Sequence, residues 1–247
     1  GLFKESKEIL LTISKDDIFY TESRLILADF VNENSFETEA INILKELIKT
    51  QEKSSEIYEL LGNIYRYHEK FDLAQEAYSE AIYLHQNSEF DNNNLWLLYF
   101  FRGIALEQLK NYEKSKQDLR KSLAMMPDQP QVLNYLGYML IEQKENLEEA
   151  LGMIRKAVKI SPQSGYIIDS LAWGLYQLGR YSEAIEPMER AIELEPEDPI
   201  VNDHLGDVLW KVGRKREAYY QWKKTLLFNP TPELKLEIEK KLDTGLP

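Results

Sequence analysis

The chain has 247 residues, of which 43% are hydrophobic and 29% charged, and it contains no cysteine. The lack of cysteine excludes disulfides, thiolate metal sites and cysteine nucleophiles. The formal net charge is −12, which argues against nucleic acid as a partner, because affinity for phosphates comes mainly from clustered Lys and Arg. The longest apolar run, residues 95–101, is far shorter than the roughly 20 residues of a membrane-spanning helix, so we expect no direct membrane insertion.

Residues 1–19 have the pattern of the second half of a helical repeat. Ser6, Leu10 and Ile13 occupy small, large and apolar positions, and Ser6, Ala40 and Ala74 are evenly spaced along the chain. The helix that should precede this one is missing. We therefore expect the sequence to start inside a repeat, as a fragment of a longer protein.

Residues 20–86 predict two helix pairs that share one template. The first pair covers residues 21–32 and 37–49, and the second covers 55–67 and 73–84. Each second helix carries a small residue, Ala40 or Ala74, followed four residues later by a large one, Leu44 or Tyr78. Because one such pair cannot bury its apolar face alone, a fixed period of this length indicates pairs that stack on their neighbours.

Residues 87–95 interrupt the period. The step from Gly62 to Gly103 is seven positions longer than the repeat period, and the inserted segment is rich in Asn and Asp. These residues favour turns over helix interiors, which predicts a longer loop. It is either a tolerated insertion or a bend between two blocks of repeats.

Residues 96–230 predict four further helix pairs. Gly103, Gly137, Ala172 and Gly206 mark the small residue of each first helix at nearly even spacing, with one extra position between Gly137 and Ala172. Small residues at this position allow the two helices of a pair to approach closely. Second helices repeat a pattern of small, large, small and proline positions, as in Ala184, Met188, Ala191 and Pro196 and again in Ala218, Trp222, Thr225 and Pro230.

Helix ends are also marked in this part of the chain. Asp198 has the position of an N-cap, and Pro130 and Pro199 have the positions of first-turn prolines. In the closing segment, 231–247, Leu234, Ile238 and Leu242 recur at i, i+4 and i+8. This spacing predicts a capping helix over the last repeat, followed by a short tail.

These positions resemble the tetratricopeptide repeat, whose pattern runs W-x2-L-G-x2-Y, then A-x3-F, then P within a unit of about 34 residues. Gln86, Arg102 and Ser115 depart from it. The segment 134–229 also looks like repeat proteins of alphaproteobacteria. The resemblance implies an all-α fold, a right-handed superhelix (α-solenoid) of antiparallel helix pairs. In the last unit the matching positions are Asn202, Leu205, Gly206, Leu209, Ala218, Trp222 and Pro230.

The resemblance further implies a concave groove, lined by the first helices, that holds a peptide or a helix of a partner protein. Tyr and Trp are common in binding hot spots, and the aspartates in such a groove would favour a basic ligand. We therefore expect an apolar segment that carries Lys or Arg; the alternative is that the aromatic residues belong to the core. The groove positions are Leu97, Phe100, Phe101, Asn134, Tyr135, Tyr138, Ile141, Tyr166, Asp169, Trp173, Tyr176, Asp203, His204, Asp207 and Trp210.

Catalysis is not expected. The three histidines, at positions 68, 85 and 204, lie far apart in the sequence, so no pair has the spacing of metal ligands, and no phosphate-binding glycine loop is present. We expect no metal or other cofactor. The clamp for a terminal carboxylate that some members of the family use is also disfavoured, because only Asn63 among the corresponding positions Glu59, Asn63, Leu97 and Phe101 fits it.

Three functions remain open from the sequence. The first is an adaptor that binds a partner protein in the groove. The second is a structural module that associates with itself as a homodimer through its ends or convex faces. The third is a regulatory repeat domain of a longer protein. The compartment is open between the cytoplasm and the periplasm or cell envelope, with a slight preference for the envelope.

Overall fold

The computed structural model describes residues 2–50, 54–88 and 94–246. Within these ranges the regular structure is α-helical, and none of the helices combines the length and apolar character needed to span a bilayer. The chain divides into two compact units, Gly1–Met126 (unit 1) and Pro127–Pro247 (unit 2). The predicted all-α fold of helix pairs is therefore confirmed. The predicted loop at 87–95 lies largely outside the described residues.

Among the described residues of unit 1, α1 is followed by three helix pairs, each made of a first and a second helix. Leu10 and Ile13 of the N-terminal segment pack against the unit 1 core, although Ile13 lies beyond the end of its helix. The helices of unit 1 are α1 Leu2–Leu11, α2 Tyr20–Glu33, α3 Glu37–Thr50, α4 Ser55–Tyr67, α5 Phe71–Gln86, α6 Leu95–Gln108 and α7 Tyr112–Met125.

Unit 2 also contains three helix pairs, and one further helix closes it. Its core includes Leu151, Met188 and Trp222 from second helices and Ile238 from the closing helix. The first helices are α8 Pro130–Glu142, α10 Gly165–Gln177 and α12 Pro199–Lys211; the second helices are α9 Leu147–Ile160, α11 Tyr181–Leu194 and α13 Lys215–Thr225; the closing helix is α14 Pro232–Thr244.

The small residues of the first helices do allow close packing within each pair. A Cβ built on Gly206 would lie 2.3 Å from Nε1 of Trp222, and one built on Gly62 would lie 2.7 Å from Cε1 of Tyr78. Real Cβ atoms do not approach other atoms so closely, so a large side chain of the second helix occupies the space that the glycine leaves. The spacing of small and large residues thus fixes how the helices of a pair meet.

The turn within each pair has one repeated geometry. A residue with positive φ, such as Glu69, Lys110 or Gly213, ends the first helix, and the next backbone N–H donates to a carbonyl five residues earlier. Arg214 N–H to Leu209 O, at 2.9 Å, is one example. This is the Schellman arrangement, which uses carbonyls that the helix end would otherwise leave unpaired.

Two helices of unit 2 begin where the N-cap and proline positions in the sequence predict. Oδ1 of Asp198 accepts hydrogen bonds from the backbone N–H groups of Ile200 (2.8 Å) and Val201 (2.9 Å). Pro130 and Pro199 stand in the first turns of α8 and α12. The predicted N-cap and the two predicted first-turn prolines are therefore confirmed.

Two of the three residues that depart from the repeat pattern, Arg102 and Ser115, make specific polar contacts in unit 1. The guanidinium of Arg102 donates to both carboxylate oxygens of the buried Asp118, at 2.6 and 2.9 Å, and to Oγ of Ser79 at 3.1 Å. Oγ of Ser115 donates to the backbone carbonyl of Gly103 at 2.7 Å. These contacts join α5, α6 and α7, so both departures contribute to packing.

Candidate interaction surface of unit 2

Two of the three predicted groove residues of unit 1, Phe100 and Phe101, pack against side chains of their own unit. The ring of Phe101 lies 4.4 Å below the guanidinium of Arg66, 6.0 Å from the ring of Tyr78 and 5.5 Å from that of Phe100. The Tyr78 hydroxyl donates to Oδ1 of Asn63 at 2.7 Å. Burial raises the pKa of Tyr78 to about 12, so this hydroxyl remains a donor.

The other predicted residues lie on the first helices of unit 2, and Trp173 is at their centre. Its indole stacks on the ring of Tyr176, with centroids 4.8 Å apart, and on the imidazole of His204, with centroids 4.0 Å apart. Its Nε1 donates to Oε1 of Glu142 at 2.7 Å. Trp173 therefore connects the three first helices α8, α10 and α12.

His204 is the buried member of this stack, and it forms an ion pair with Asp169. Nδ1 of His204 lies 2.9 and 3.0 Å from the two carboxylate oxygens of Asp169. Burial alone would lower the pKa of His204, but the carboxylates of Asp169, Asp203 and Asp207 outweigh it and raise the pKa. These carboxylates therefore favour the charged form of the imidazole, and its Nδ1 is engaged by the Asp169 carboxylate.

Asp203 and Asp207 are also paired, in this case with a lysine of the closing helix. Nζ of Lys241 donates to both oxygens of Asp203, at 2.7 and 2.9 Å, and to Oδ2 of Asp207 at 3.0 Å. Oδ1 of Asp207 accepts from Nε1 of Trp222 at 2.9 Å. The prediction that these aspartates would await a basic ligand is therefore corrected, because α14 already supplies the cation.

The charges in this cluster do not balance fully, since one ammonium serves two carboxylates. Burial, followed by repulsion from Asp203, raises the pKa of Asp207 to about 6 against the attraction of Lys241. Burial opposes the charge on Lys241, but Asp207 and Asp203 outweigh it and keep the pKa of the ammonium above its usual range. Lys241 is thus charged, and one carboxylate is only partly compensated.

Trp210, at the end of the predicted groove, is covered by the tail that follows α14. Its Nε1 donates to the backbone carbonyl of Leu246 at 3.0 Å. Gly245 has φ +71 and lies so close that an added Cβ would be 2.2 Å from Cζ2 of Trp210. Nζ of Lys215 lies 4.6 Å from the centre of the same ring. Trp210 is therefore a packing residue, and its predicted place in an open groove is corrected.

Of the remaining predicted residues, Ile141 is fully buried, so its predicted place in an open groove is corrected, whereas the others are more accessible. Tyr166 is 53% exposed, whereas Asn134, Tyr135 and Tyr138 are half-buried on α8. Burial raises the pKa of Tyr138, and Glu142 and Asp169 raise it further, so its hydroxyl stays protonated. Oδ1 of Asn134 is buried without a hydrogen-bond partner in the described part of the chain.

Sequence reasoning missed Glu142 and Lys241. Lys241 could have been found, because it lies seven residues after Leu234 and three after Ile238, on the apolar side of the predicted closing helix. A lysine on a buried helix face requires a carboxylate partner. Glu142 follows the groove positions of α8 directly, and only the structure shows that it accepts from Trp173.

The side chains of this region form paired, stacked contacts. Both the ring and Nδ1 of His204 are engaged, since Trp173 covers the ring and Asp169 binds Nδ1. Among the described residues no group of three or more His, Cys, Asp or Glu side chains could hold a metal ion. The region therefore combines aromatic side chains with carboxylates at its margin.

Models of the tetratricopeptide repeat match three parts of the chain, residues 55–87, 100–165 and 175–213. Together these matches span more than half of the sequence. The chain belongs to the tetratricopeptide repeat family.

Individual relatives are distant. A TPR repeat-containing protein of Pseudomonas aeruginosa is 28% identical over 87 residues, which are 35% of this chain and only 15% of that protein. Among solved structures, MamA from Desulfovibrio magneticus is 18% identical with a TM-score of 0.60, covering 72% of this chain and 97% of the other. A thermophilic TPR protein of Thermus thermophilus is 18% identical with a TM-score of 0.62, covering 76% and 99%. The C-terminal part of a TPR repeat-containing protein from Cytophaga hutchinsonii is 16% identical with a TM-score of 0.64, covering 90% and 87%. These likenesses show the fold.

Proposed function

We propose that the chain is a non-catalytic protein-interaction scaffold. Its binding site is the aromatic surface of unit 2, which we define by Tyr138, Tyr166, Trp173 and Tyr176, with Glu142 at its edge. The ligand is an apolar segment of a partner protein, extended or helical, that carries a Lys or Arg.

The observation that carries this proposal is the fixed position of Trp173. Stacking on Tyr176 and His204 and the hydrogen bond to Glu142 hold the indole in one orientation. A side chain that is already ordered loses little conformational entropy when a ligand packs on it. Aromatic side chains also supply large contact areas for few rotatable bonds, so the surface is suited to binding an apolar segment.

The preference for a basic residue comes from the carboxylates near this surface. Glu142 is exposed, and Asp203 and Asp207 share a single ammonium. The local charge therefore remains negative although the buried aspartates are paired. Such a site attracts Lys or Arg and discriminates against acidic segments. We expect micromolar affinity, about −8 kcal/mol.

The test is affinity capture from the source organism with site-specific crosslinking and mass spectrometry. The variants are Tyr166→Ala, which removes an exposed ring, and the double variant Trp173→Ala, Tyr176→Ala, with circular dichroism to confirm helicity. The matched control is Tyr67→Ala, Tyr83→Ala, which removes two exposed rings of unit 1.

A partner that is crosslinked at this surface, retained by the wild type and the control and lost by both folded variants, would support the proposal. If the folded variants recover the same proteins as the wild type, the aromatic surface is not the binding site. The same conclusion follows if crosslinks map to other parts of unit 2.

A further inference from the structure

Two neighbouring second helices of unit 2 carry opposite charge. The sequence of α11 contains four glutamates and one arginine, whereas α13 contains four basic residues and one glutamate. The two helices occupy equivalent positions in consecutive repeats. Their contrast is therefore not a requirement of the repeat itself.

The outward side of α13 combines positive charge with exposed apolar area. Arg216, Tyr220, Lys223 and Leu227 recur at i, i+4, i+7 and i+11, opposite the buried side that includes Trp222, with Leu227 in the turn after the helix. Tyr220 is 66% exposed and Leu227 is 75% exposed. Such a row on a repeat surface has no role in packing the unit itself.

A separate observation shows that side chains at the repeat position of Tyr220 point into open space. Gly152 of α9, Glu186 of α11 and Tyr220 of α13 are evenly spaced, each one repeat after the last. A Cβ built on Gly152 would meet no atom within 4 Å. Glu186 and Glu193 are likewise exposed on α11.

The spacing of the charges matches between the two helices. Arg216 and Lys223 are seven residues apart, as are Glu186 and Glu193, so each pair is separated by about 10.5 Å along its helix. Two basic groups on one helix can therefore face two acidic groups on the other at the same time.

Several of these charges lack a partner in the part of the chain that the structure describes. Arg216, Lys223 and Glu186 form no ion pair or hydrogen bond with the described residues, whereas nearby Arg214 binds both Glu189 and Glu217. Glu193 forms an ion pair with Arg190 on its own helix at 2.9 Å, which it would have to share with a partner, whereas the other three charges are not neutralised by the described residues.

We propose that the outer faces of α11 and α13 bind a second copy of the chain in a two-fold dimer. In this dimer α13 of each copy lies antiparallel on α11 of the other, with Arg216 and Lys223 facing Glu193 and Glu186. Two-fold symmetry forms the contact twice from one self-complementary surface, and it covers Tyr220 and Leu227. A second copy fits better than an anionic membrane, because the net charge of −12 opposes approach to negatively charged lipid.

Two helices per copy make a small interface. We therefore expect a dimer that dissociates on dilution and weakens as salt screens the ion pairs. This interface is on second helices and so is separate from the aromatic surface, which is built on first helices.

The experiment is sedimentation velocity over a concentration series, using the 247-residue chain and two charge-reversed variants. Variant A is Arg216→Glu, Lys223→Glu, and variant B is Glu186→Lys, Glu193→Lys. Each should be monomeric alone, because like charges would then face each other. An equimolar mixture of A and B should form a heterodimer, since both of its contacts regain opposite charges. The acidic α13 of A then faces the basic α11 of B, and the basic α13 of B faces the acidic α11 of A.

The matched control is Arg155→Glu, Lys159→Glu on α9, which makes the same change of charge on the adjacent second helix and should leave the dimer intact. A wild type that stays monomeric at all concentrations, or variants that fail to associate when mixed, would overturn the proposal. So would a variant A that dimerises like the wild type. The double variant Trp173→Ala, Tyr176→Ala should still dimerise, so this inference and the proposed function can fail separately.

Discussion

Nζ of Lys241 lies 2.7 Å from Oδ1 of Asp203, although the two residues are 38 positions apart in the chain. This contact, with the second one to Asp207, fixes the closing helix α14 on α12. Except for Ile238, Lys241 and the adjoining Gly245, most of α14 and its tail is exposed or half-buried. The buried ion pair thus holds this helix together with Ile238 in the core and Leu234, Leu242 and Leu246, which pack against it.

Replacing Lys241 by Met should strongly destabilise unit 2. The change would leave two buried carboxylates without a cation, and breaking a buried ion pair from one side typically costs about 3–5 kcal/mol. Urea unfolding followed by circular dichroism measures the free energy of unfolding. The control is Lys240→Met, at the exposed neighbouring position. Equal stability of the two variants would show that the ion pair does not hold α14.

The dependence of stability on pH should change when Asp207 is replaced by Asn. The folded-state pKa of Asp207 is about 6, against an ordinary value of 3.8, so between these values the folded chain binds a proton that the unfolded chain has released. Stability from this group is present at low pH and is lost as pH rises through about 6, by about 1.4 kcal/mol for each unit of pKa shift. The amide oxygen of Asn can still accept from Trp222.

The measurement is urea unfolding of the wild type and of Asp207→Asn at pH values below, within and above this range. The free energy of unfolding of the wild type should fall, relative to that of the variant, as pH rises from the ordinary pKa of Asp207 to the folded-state value. A difference between the two that stays constant with pH would contradict the raised pKa.

Two glycine substitutions should have opposite effects. Gly206→Ala would place a Cβ 2.3 Å from Nε1 of Trp222, and overpacking of this kind costs about 1–3 kcal/mol. Gly152→Ala adds a methyl group where nothing lies within 4 Å, and should stabilise α9 by up to about 1 kcal/mol through helix propensity. Thermal unfolding of both variants tests this. If Gly206→Ala left Tm unchanged, the helices α12 and α13 could move apart without a loss of stability.

The turns within the helix pairs differ in the residue that adopts a positive φ. Lys110 has φ +60 in the turn between α6 and α7, where the corresponding residue between α12 and α13 is Gly213 with φ +85. Glycine adopts this conformation without the steric cost that Lys incurs. Lys110→Gly should therefore raise Tm by about 1–3 °C, and Gly213→Lys should lower it. Differential scanning calorimetry decides, and a fall in Tm for Lys110→Gly would refute the argument.

The repeated pattern was sufficient to predict how the helices pair. Gly62 and Tyr78, or Gly206 and Trp222, keep one spacing in the sequence and meet in the structure. The same register brings Trp173 and His204 together, because it places them on the facing sides of successive first helices. Contacts that repeat with the period can be predicted from the period.

Contacts made by α14 could not be predicted in this way. The repeat period places Ile238, and not Lys241, in register with His204, yet the Lys241 side chain occupies Asp203 and Asp207. The tail covers Trp210 through Leu246, which no repeat position specifies. Whether a surface residue is open or covered depends here on a segment that has no equivalent in the preceding repeats.

The packing of the indoles has a spectroscopic consequence. Three of the four tryptophans, Trp173, Trp210 and Trp222, lie in unit 2, each in a different environment. Trp173 is stacked on the imidazole of His204, Trp210 is covered by the tail and Trp222 is fully buried. Intrinsic fluorescence will therefore report mainly on unit 2, and detachment of the tail will expose one indole to water. Loss of α14 can thus be followed optically, without a label, before the rest of unit 2 unfolds.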